Sequence, residues 1–486
     1  MSTTYMGRAN EGFTQLMEVP AVSEYHFAVE QPPVWQQLLT WMLFWPLLCL
    51  IARQAPYFAG PARDAAFYQG KSAGTGADYH LYLYINMALQ AGFAVAAGRR
   101  IWAALRGNVL IVAGVALIFI SALWSDAPGN SLRMGVEVSL CTLFACYLAI
   151  RTSTEQLMRL LMFMGVISAL ASIVFAMALP SYGIFAGYGG GAWSGICDHK
   201  NTLGISMAFL LTPVFFTEHY RRWQKLLYIA LLLFLIAMSQ SKGAWVYTAG
   251  MLCFVACLYM VRRLGRHESL LLVILLFSLG AAMIVLALHS LDTIAPMLGK
   301  TVSMTGRTEI YRQVWQSIMH APFFGYGYGA YWFVNPEATR VGLSIGWMNI
   351  GYSENGILEL ALQLGLVGVG LVLLMLGRAA IQAIRLLRSP SYSPRIGWFL
   401  TILFLAALSN INAGWLLVSD KLDWVLILVA CIGIESETRR AREAGTLPSM
   451  TRPDHPMIRV YPPPFDVTVS IFLRQSKDPI RHRSDP

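Results

Sequence analysis

Twelve apolar runs recur along this chain, most of them long enough to cross a hydrocarbon core, and they leave room for little but a helical bundle in a membrane. They lie near residues 38–53, 81–98, 108–124, 134–150, 157–179, 202–217, 225–239, 243–261, 269–289, 356–377, 396–416 and 421–435. A ~30 Å hydrocarbon core takes about 20 residues of α-helix. In lipid every backbone N–H and C=O must find its partner within the protein, which favours helices. Composition agrees, with 56% apolar and 13% charged residues and a mean hydropathy of +0.54. The expectation is an all-α integral membrane protein of about twelve transmembrane helices, the first and last being short for a span.

Basic residues set the orientation. Arg99, Arg100 and Arg106 lie between the second and third runs, Arg151 and Arg159 between the fourth and fifth, and Arg221, Arg222 and Lys225 follow the sixth. Arg262, Arg263 and Arg266 come after the eighth, and Arg378, Arg385, Arg388 and Arg395 after the tenth. Alternate short loops are therefore basic, which puts them and both termini in the cytoplasm. The segments 125–131, 180–201, 240–243 and 290–355 then face outward. This divides the chain into a cytoplasmic N-terminal tail (1–37), a polytopic membrane domain (38–435) with an external loop (290–355), and a cytoplasmic C-terminal tail (436–486). The last tail carries YPPPF and reads as largely disordered. The polar first thirty residues, with Glu11, Glu18, Glu24 and Glu30, lack the apolar core of a cleavable signal.

The net charge of +10 is then largely a consequence of topology and implies no nucleic-acid partner. The basic tail, with Arg439, Arg440, Arg442 and an RHR at 481–483, suits anionic headgroups among the inner-membrane lipids. Six of the seven cysteines fall inside apolar runs, and only Cys197 sits in an outward segment. No disulfide framework, metal-ligand spacing or cofactor motif is recognisable.

Four outward segments concentrate chemistry. In YGGGAWSGICDHKNTLG (188–204), His199 and Lys200 stand at a helix entrance where Asn201-Thr202 can cap and leave amides for an anion. In SQSKGAW (239–245), Lys242 lies in a very short turn between apolar runs. An ionisable group there marks a site by default, with snorkelling to the interface as the bland alternative. In TGRTEIYRQVWQ (305–316), Arg307 falls in a first helical turn, where a cation opposes the helix dipole and implies an anionic partner. Glu309 is the protein candidate for that partner. Arg312 follows, and GYGYGAYW (325–332) reads as a flexible aromatic platform of the kind that binds sugars, with Tyr326, Tyr328 and Trp332 as contacts, although aromatic–glycine runs also pack as plain loops at membrane surfaces. The fourth segment is Glu354-Asn355, at the entrance of the tenth run, where helix capping and catalysis are both open. A loop as long as 290–355 is uncommon without a function.

In their order and spacing these segments resemble the O-antigen ligase and polymerase superfamily, the Wzy/WaaL-like membrane glycosyltransferases, and within it the ExoQ-type exopolysaccharide polymerases. The matching pieces are LWSDAPGNSLR (123–133), GICDHKNTLG (195–204), SKGAW (241–245), TGRTEIY (305–311), PFFGYGYGAYW (322–332) and ENGILELALQLGLVG (354–368). The last is similar to the family's His-Asn-x9-Gly-x-x-Gly pattern, with Asn355, Gly365 and Gly368 in place and Glu354 where the family has His. In LSNINAGW (408–415), Ala413 and Gly414 replace the family's Glu-Ser. The resemblance implies a glycosyltransferase C-type architecture and a metal-independent reaction joining repeat units carried on undecaprenyl diphosphate. By that likeness Lys200, Lys242 and Arg307 stabilise the leaving diphosphate and Glu354 accepts the proton of the attacking hydroxyl. His199, Asn201, Arg312, Asn355 and the aromatics position the substrate. Chain-length and export proteins of a polysaccharide locus are the implied protein partners. A ligase passing a finished glycan to another acceptor remains open, as does a flippase of lipid-linked sugars, although spans nearly free of charge speak against the latter.

The topology carries its own test. In intact cells, a cysteine replacing Ser344 should be labelled by an impermeant thiol reagent, and one replacing Ser389 should be labelled only after lysis. The reverse pattern would invert the arrangement and every outward site with it.

Overall fold

The computed structural model describes residues 34–52, 77–185, 191–265, 267–268, 307–338, 340, 351–387, 389, 392–411, 414, 416–419 and 421–447. The run expected at 269–289, most of both tails, and residues 290–306 and 341–350 of the large loop lie outside the described residues. What is described is helical, apart from one isolated β-bridge between Ile184 and Trp193. The principal helices are α1 (Val34–Ala52), α2 (Ala77–Ala96), α3 (Gly98–Gly107), α4 (Val109–Ser121), α5 (Pro128–Arg151), α6 (Thr154–Ala178) and α7 (Lys200–Leu211). They continue with α8 (Arg222–Met238), α9 (Lys242–Arg263), α10 (Arg307–His320), α11 (Gly356–Leu387), α12 (Pro394–Ser409) and α13 (Leu422–Glu443).

The apolar runs among the described residues are helical, and the structure supports part of the twelve spans expected. Among the described residues only α5, α6, α9 and α11 are long and apolar enough to cross a membrane. The pair α3–α4, bent by 100°, counts as a fifth if it is one broken span. The protein is thus a multi-pass helical membrane protein with four or five spans supported. The reason lies in what apolarity reports. Helix α7 has 12 residues, about 18 Å of rise, and is buried from Thr202 through Leu211. It is apolar because it is the centre of the bundle, packed by α1, α6, α8, α9, α12 and α13, and not because lipid surrounds it. Helix α13 is likewise interior, carries Asp423, Glu435 and Glu437, and runs on to Glu443, beyond the boundary expected at 435.

Antiparallel packing sorts the chain ends. Phe254 of α9 stacks on Phe404 of α12 with ring centroids 4.2 Å apart, and Gly356 at the start of α11 donates its N–H to the Asn410 carbonyl beyond α12 (2.9 Å). The starts of α9 and α11 and the end of α12 therefore share one end of the bundle. Basic residues gather at the other: Arg378 pairs with Glu435 (2.8 Å), Arg395 with Glu437 (3.5 Å), and Arg262 lies 3.5 Å over the Tyr392 ring.

Helix α11 is broken at Gly365 (φ 65°, ψ −166°). The gap in its ladder is filled by the segment 322–327. Leu362 and Gln363 carbonyls accept from Tyr326 and Gly327 N–H (2.9 and 3.1 Å), and Leu366 and Val367 N–H donate to Pro322 and Phe323 carbonyls (2.8 and 3.2 Å). A Cβ at Gly365 would lie 2.2 Å from the Phe323 carbonyl carbon, so the break requires glycine on grounds of both space and φ. Gly365→Ala should destabilise the protein by about 2 kcal/mol or more, from positive-φ strain plus the clash. Thermal unfolding in detergent would read this; an unchanged midpoint would mean that the clasp is dispensable.

Candidate functional site

The first polar group surrounds the start of α7. His199 itself is the N-cap: its extended backbone (φ −149°, ψ 152°) places Nδ1 to accept from the Asn201 N–H at 3.1 Å. Asn201-Thr202, the expected cap, lies inside the helix instead, with Asn201 exposed and Thr202 buried. The accepting Nδ1 leaves the ring proton of a neutral His199 on Nε2. The imidazole meets Phe185 edge-on at 4.5 Å, and the Lys200 ammonium lies 5.3 Å over the same ring. The helix packs close to the turn before α9. A Cβ on Gly204 would lie 2.5 Å from Ala244 Cβ and 2.9 Å from Ser239 Oγ, so only glycine admits this approach. It brings Lys200 near Lys242, which opens α9 behind the Ser241 cap. Burial and then the Lys242 charge lower the pKa of Lys200. Cys197 is buried and donates its thiol to the Ile51 carbonyl (3.5 Å).

The second group surrounds the start of α11. Asn355 is its N-cap: Oδ1 accepts from Ile357 and Leu358 N–H (both 3.0 Å), and Nδ2 donates to the Ile411 carbonyl (2.9 Å). Glu354, immediately before it, has φ 58°, a left-handed conformation unusual for a residue with a side chain and most often kept at functional turns. Its carbonyl accepts from the Tyr311 hydroxyl (3.2 Å). The preceding Ser353 N–H donates to the Glu359 carboxylate (2.7 Å), which also accepts from Trp332 Nε1 (3.0 Å to each oxygen) and from Gln363 Nε2 (2.6 Å). Glu359 is only 5% exposed. In the sequence it is hidden inside an apolar run, although a lone carboxylate in such a run is itself a signal.

Between the two groups in sequence, GYGYGAYW is no flexible platform. Tyr328 is 2% exposed and donates its hydroxyl to the Leu417 carbonyl, while its N–H and C=O are held by Ser121 Oγ (3.0 Å) and Ser131 Oγ (2.7 Å). Tyr326 donates to the Ser317 carbonyl (2.9 Å), and burial pushes its pKa up to about 12. Trp332 is the Glu359 donor named above. Asn130 Nδ2 and Trp124 Nε1 bind the Gly329 and Phe324 carbonyls (2.7 and 3.1 Å), which ties the 124–131 segment to the same strap. The phenol and indole polar atoms are spent inside the fold, so any contact with a sugar would fall to the remaining ring edges of Tyr326 and Trp332.

Arg307 is the first residue of α10, where the sequence put it. Glu309, the protein candidate for its partner, accepts from Arg312 through Nε (3.0 Å) and Nη2 (2.5 Å) and from Gln313 (2.6 Å), while the Arg307 side chain lies outside what is described. These hydrogen bonds hold the Glu309 pKa down to about 2. Among the described residues, no group of three or more His, Cys, Asp or Glu could hold a metal ion. The Lys200–Lys242 pair and the Glu354 turn are each knit within themselves, and both lie at the bundle end opposite the basic one.

These features define a multi-pass membrane protein with polar chemistry gathered at one end of its bundle. Residues 227–373 match the Wzy_C family, described as O-antigen ligase, the family that the sequence segments resemble. The matched stretch contains Lys242, Arg307, Arg312, Tyr326, Tyr328, Trp332, Glu354 and Asn355, whereas His199, Lys200 and Asn201 precede it. The chain is also 26% identical over 291 residues to the exopolysaccharide production protein ExoQ of Rhizobium meliloti (strain 1021). That match covers 57% of this chain and 65% of the relative's length.

All of the groups facing the Glu359 carboxylate are donors, which suits an ionised, acceptor-only side chain. Glu359→Gln turns one oxygen into a donor among donors. It should cost about 1–3 kcal/mol in thermal unfolding, with Trp332→Phe milder because it removes a single donor. Equal stability of the Gln variant and the wild type would show that the carboxylate does not hold the turn.

Proposed function

We propose that this chain is an exopolysaccharide polymerase that joins undecaprenyl-diphosphate-linked oligosaccharide repeat units on the external face of the bacterial inner membrane. The observation that carries the reading is the Wzy_C match over 227–373, because it contains both the Glu354 turn and Lys242. The likeness to an exopolysaccharide production protein supports the polymerase branch. In this reading the basic bundle end faces the cytoplasm with both termini, and the twelve-run arrangement includes the stretch outside the described residues.

The reaction follows from the chemistry of the donor. A hydroxyl of one repeat unit attacks the anomeric carbon of the lipid-linked partner chain. The new glycosidic C–O bond forms as the bond to the diphosphate oxygen breaks, and the bonding electrons leave with the diphosphate. The hydroxyl proton passes to the Glu354 carboxylate. Lys200 and Lys242, two like charges held near each other, are relieved by an anion between them. Together with Arg307 they stabilise the charge that develops on the leaving diphosphate, and electrostatic stabilisation of this kind commonly lowers the barrier more than any other single effect. The left-handed turn aims Glu354, and Asn355, fixed as a cap, keeps that turn in place. A second reading has a specific support: the matched family is described as O-antigen ligase, and a ligase would use the same groups to pass a finished glycan to another acceptor.

One experiment tests both. Polysaccharide would be sized from a deletion strain carrying wild-type or variant chain at equal protein level. A polymerase leaves single repeats when lost, whereas a ligase leaves long glycan still on its carrier. Arg307→Ala should lower polymer by about 10²–10³. Glu354→Gln should lower it by about 10²–10⁴, and Glu354→His should retain part of it, since imidazole accepts a proton near neutral pH. Near-normal polymer from Glu354→Gln would remove this residue as the base.

A further inference from the structure

The opposite end of the bundle holds a second polar site that the reaction above does not use. Helix α3 lies at 100° to α4 and packs on α4 and α5. Its sequence, GRRIWAALRG, buries Ile101 and exposes Arg99, Arg100, Trp102 and Arg106. That is the pattern of a helix lying in the interface plane. The Arg106 guanidinium sits 5.1 Å over the Trp102 ring, and Trp102 is 56% exposed, as suits an indole at headgroup depth. At the bend a cleft opens between α4, α11 and α13, lined by Asn108, Ile111, Met375, Arg378, Gln382 and Cys431 among others. Arg439 reaches the same corner: a Cβ on Gly107 would lie 2.9 Å from its Nη2.

The charges there do not balance. Among the described residues, Glu435 accepts from Arg378 Nη2 and Gln382 Nε2 (both 2.8 Å), while Arg106 and Arg439 make no ion pair. The apolar continuation lies a turn deeper on both walls. Leu374 precedes Arg378 by four residues within α11 and so shares its face, and Val112 lies one turn into α4 from its N-cap Asn108. Both are exposed, Leu374 to 63%. Cations at the rim above exposed aliphatic side chains match one ligand chemistry, a phosphate ester with hydrocarbon tails.

We propose that this corner binds the headgroup of an anionic phospholipid, with its phosphate among Arg106, Arg378 and Arg439 and its acyl chains along Val112 and Leu374. The site would anchor α3 in the interface and hold the bend that joins it to α4. It does not depend on which glycan reaction the other end performs.

The test uses the full-length chain purified in detergent, with native mass spectrometry counting bound lipid as phosphatidylglycerol or phosphatidylcholine is titrated. Phosphatidylglycerol should bind saturably and more tightly than phosphatidylcholine. Arg106→Gln and Arg439→Gln, both exposed and outside the Glu435 pair, should each weaken it roughly five-fold. Arg222→Gln, a basic residue at the same end but on another helix, should leave it unchanged. Equal binding of the two lipids overturns the proposal, as does an Arg222→Gln effect equal to that of the corner variants. Undiminished phosphatidylglycerol binding by an Arg106→Gln, Arg439→Gln double variant also overturns it. Loss of lipid binding to inorganic phosphate at equal concentration would assign the corner to a free anion and refute the lipid.

Discussion

Four backbone hydrogen bonds between the segment 322–327 and the opened turn of α11 hold the site end together. A helix broken inside an apolar bundle leaves carbonyls and N–H groups without partners, and water is not at hand to take them. Here the chain supplies its own replacement: Tyr326, Gly327, Pro322 and Phe323 complete the ladder that Gly365 interrupts. Once the strap is fixed in this way, the rest follows in sequence order. Tyr328 is locked between Ser121, Ser131 and Leu417, Trp332 is delivered to Glu359, and Glu359 in turn holds Ser353 next to Glu354. The glycines of the strap are there for close approach as well as for turning. A Cβ on Gly327 would lie 2.4 Å from Ser125 Cβ, and one on Gly329 would lie 2.2 Å from Met134 Sδ.

Much of this is legible in the sequence, and what is not has physical causes. Periodicity and apolarity find the helices, and the polar segments stand out as well, because membrane helices leave few other places for Lys, Arg and Glu. The number of spans is not legible, since hydropathy cannot tell a helix facing lipid from one such as α7 that is enclosed by protein. The strap misleads because its composition, glycine alternating with tyrosine, is shared by flexible binding loops and rigid packing. Only the hydrogen-bond partners of Tyr326 and Tyr328 decide between them. His199 reads as a polar group beside a cap and proves to be the cap, a role that its Nδ1 can fill as a Ser or Asp oxygen does. Spans expected to be nearly free of charge in fact bury Glu359 and Asp423, and the first of these organises the turn that carries Glu354.

The two ends of the bundle divide the electrostatics. At one end, cations face carboxylates on neighbouring helices, as with Arg378 and Glu435 or Arg395 and Glu437, and such pairs fix helix register at the rim. At the other, Lys200 and Lys242 are brought near each other. Like charges held close repel, and in the proposed reaction the leaving diphosphate would offset that repulsion. The same arrangement at an exposed rim would be screened by salt; partial burial of Lys200 preserves it.

Glu354, where the family resemblance leads one to expect histidine, is easier to understand from the backbone than from the side chain. The positive φ at this position costs about 1–2 kcal/mol for an L-residue with a Cβ, and histidine tolerates it more readily than most. What holds the turn is supplied by neighbours: the Tyr311 hydroxyl on the Glu354 carbonyl, Glu359 on the Ser353 N–H, and Asn355 bridging to Ile411. None of these bonds uses the side chain at 354. A turn built this way fixes the direction of the Cα–Cβ bond at Glu354. In the proposed reaction, a carboxylate at this place in the turn needs an environment that keeps it basic enough for its task.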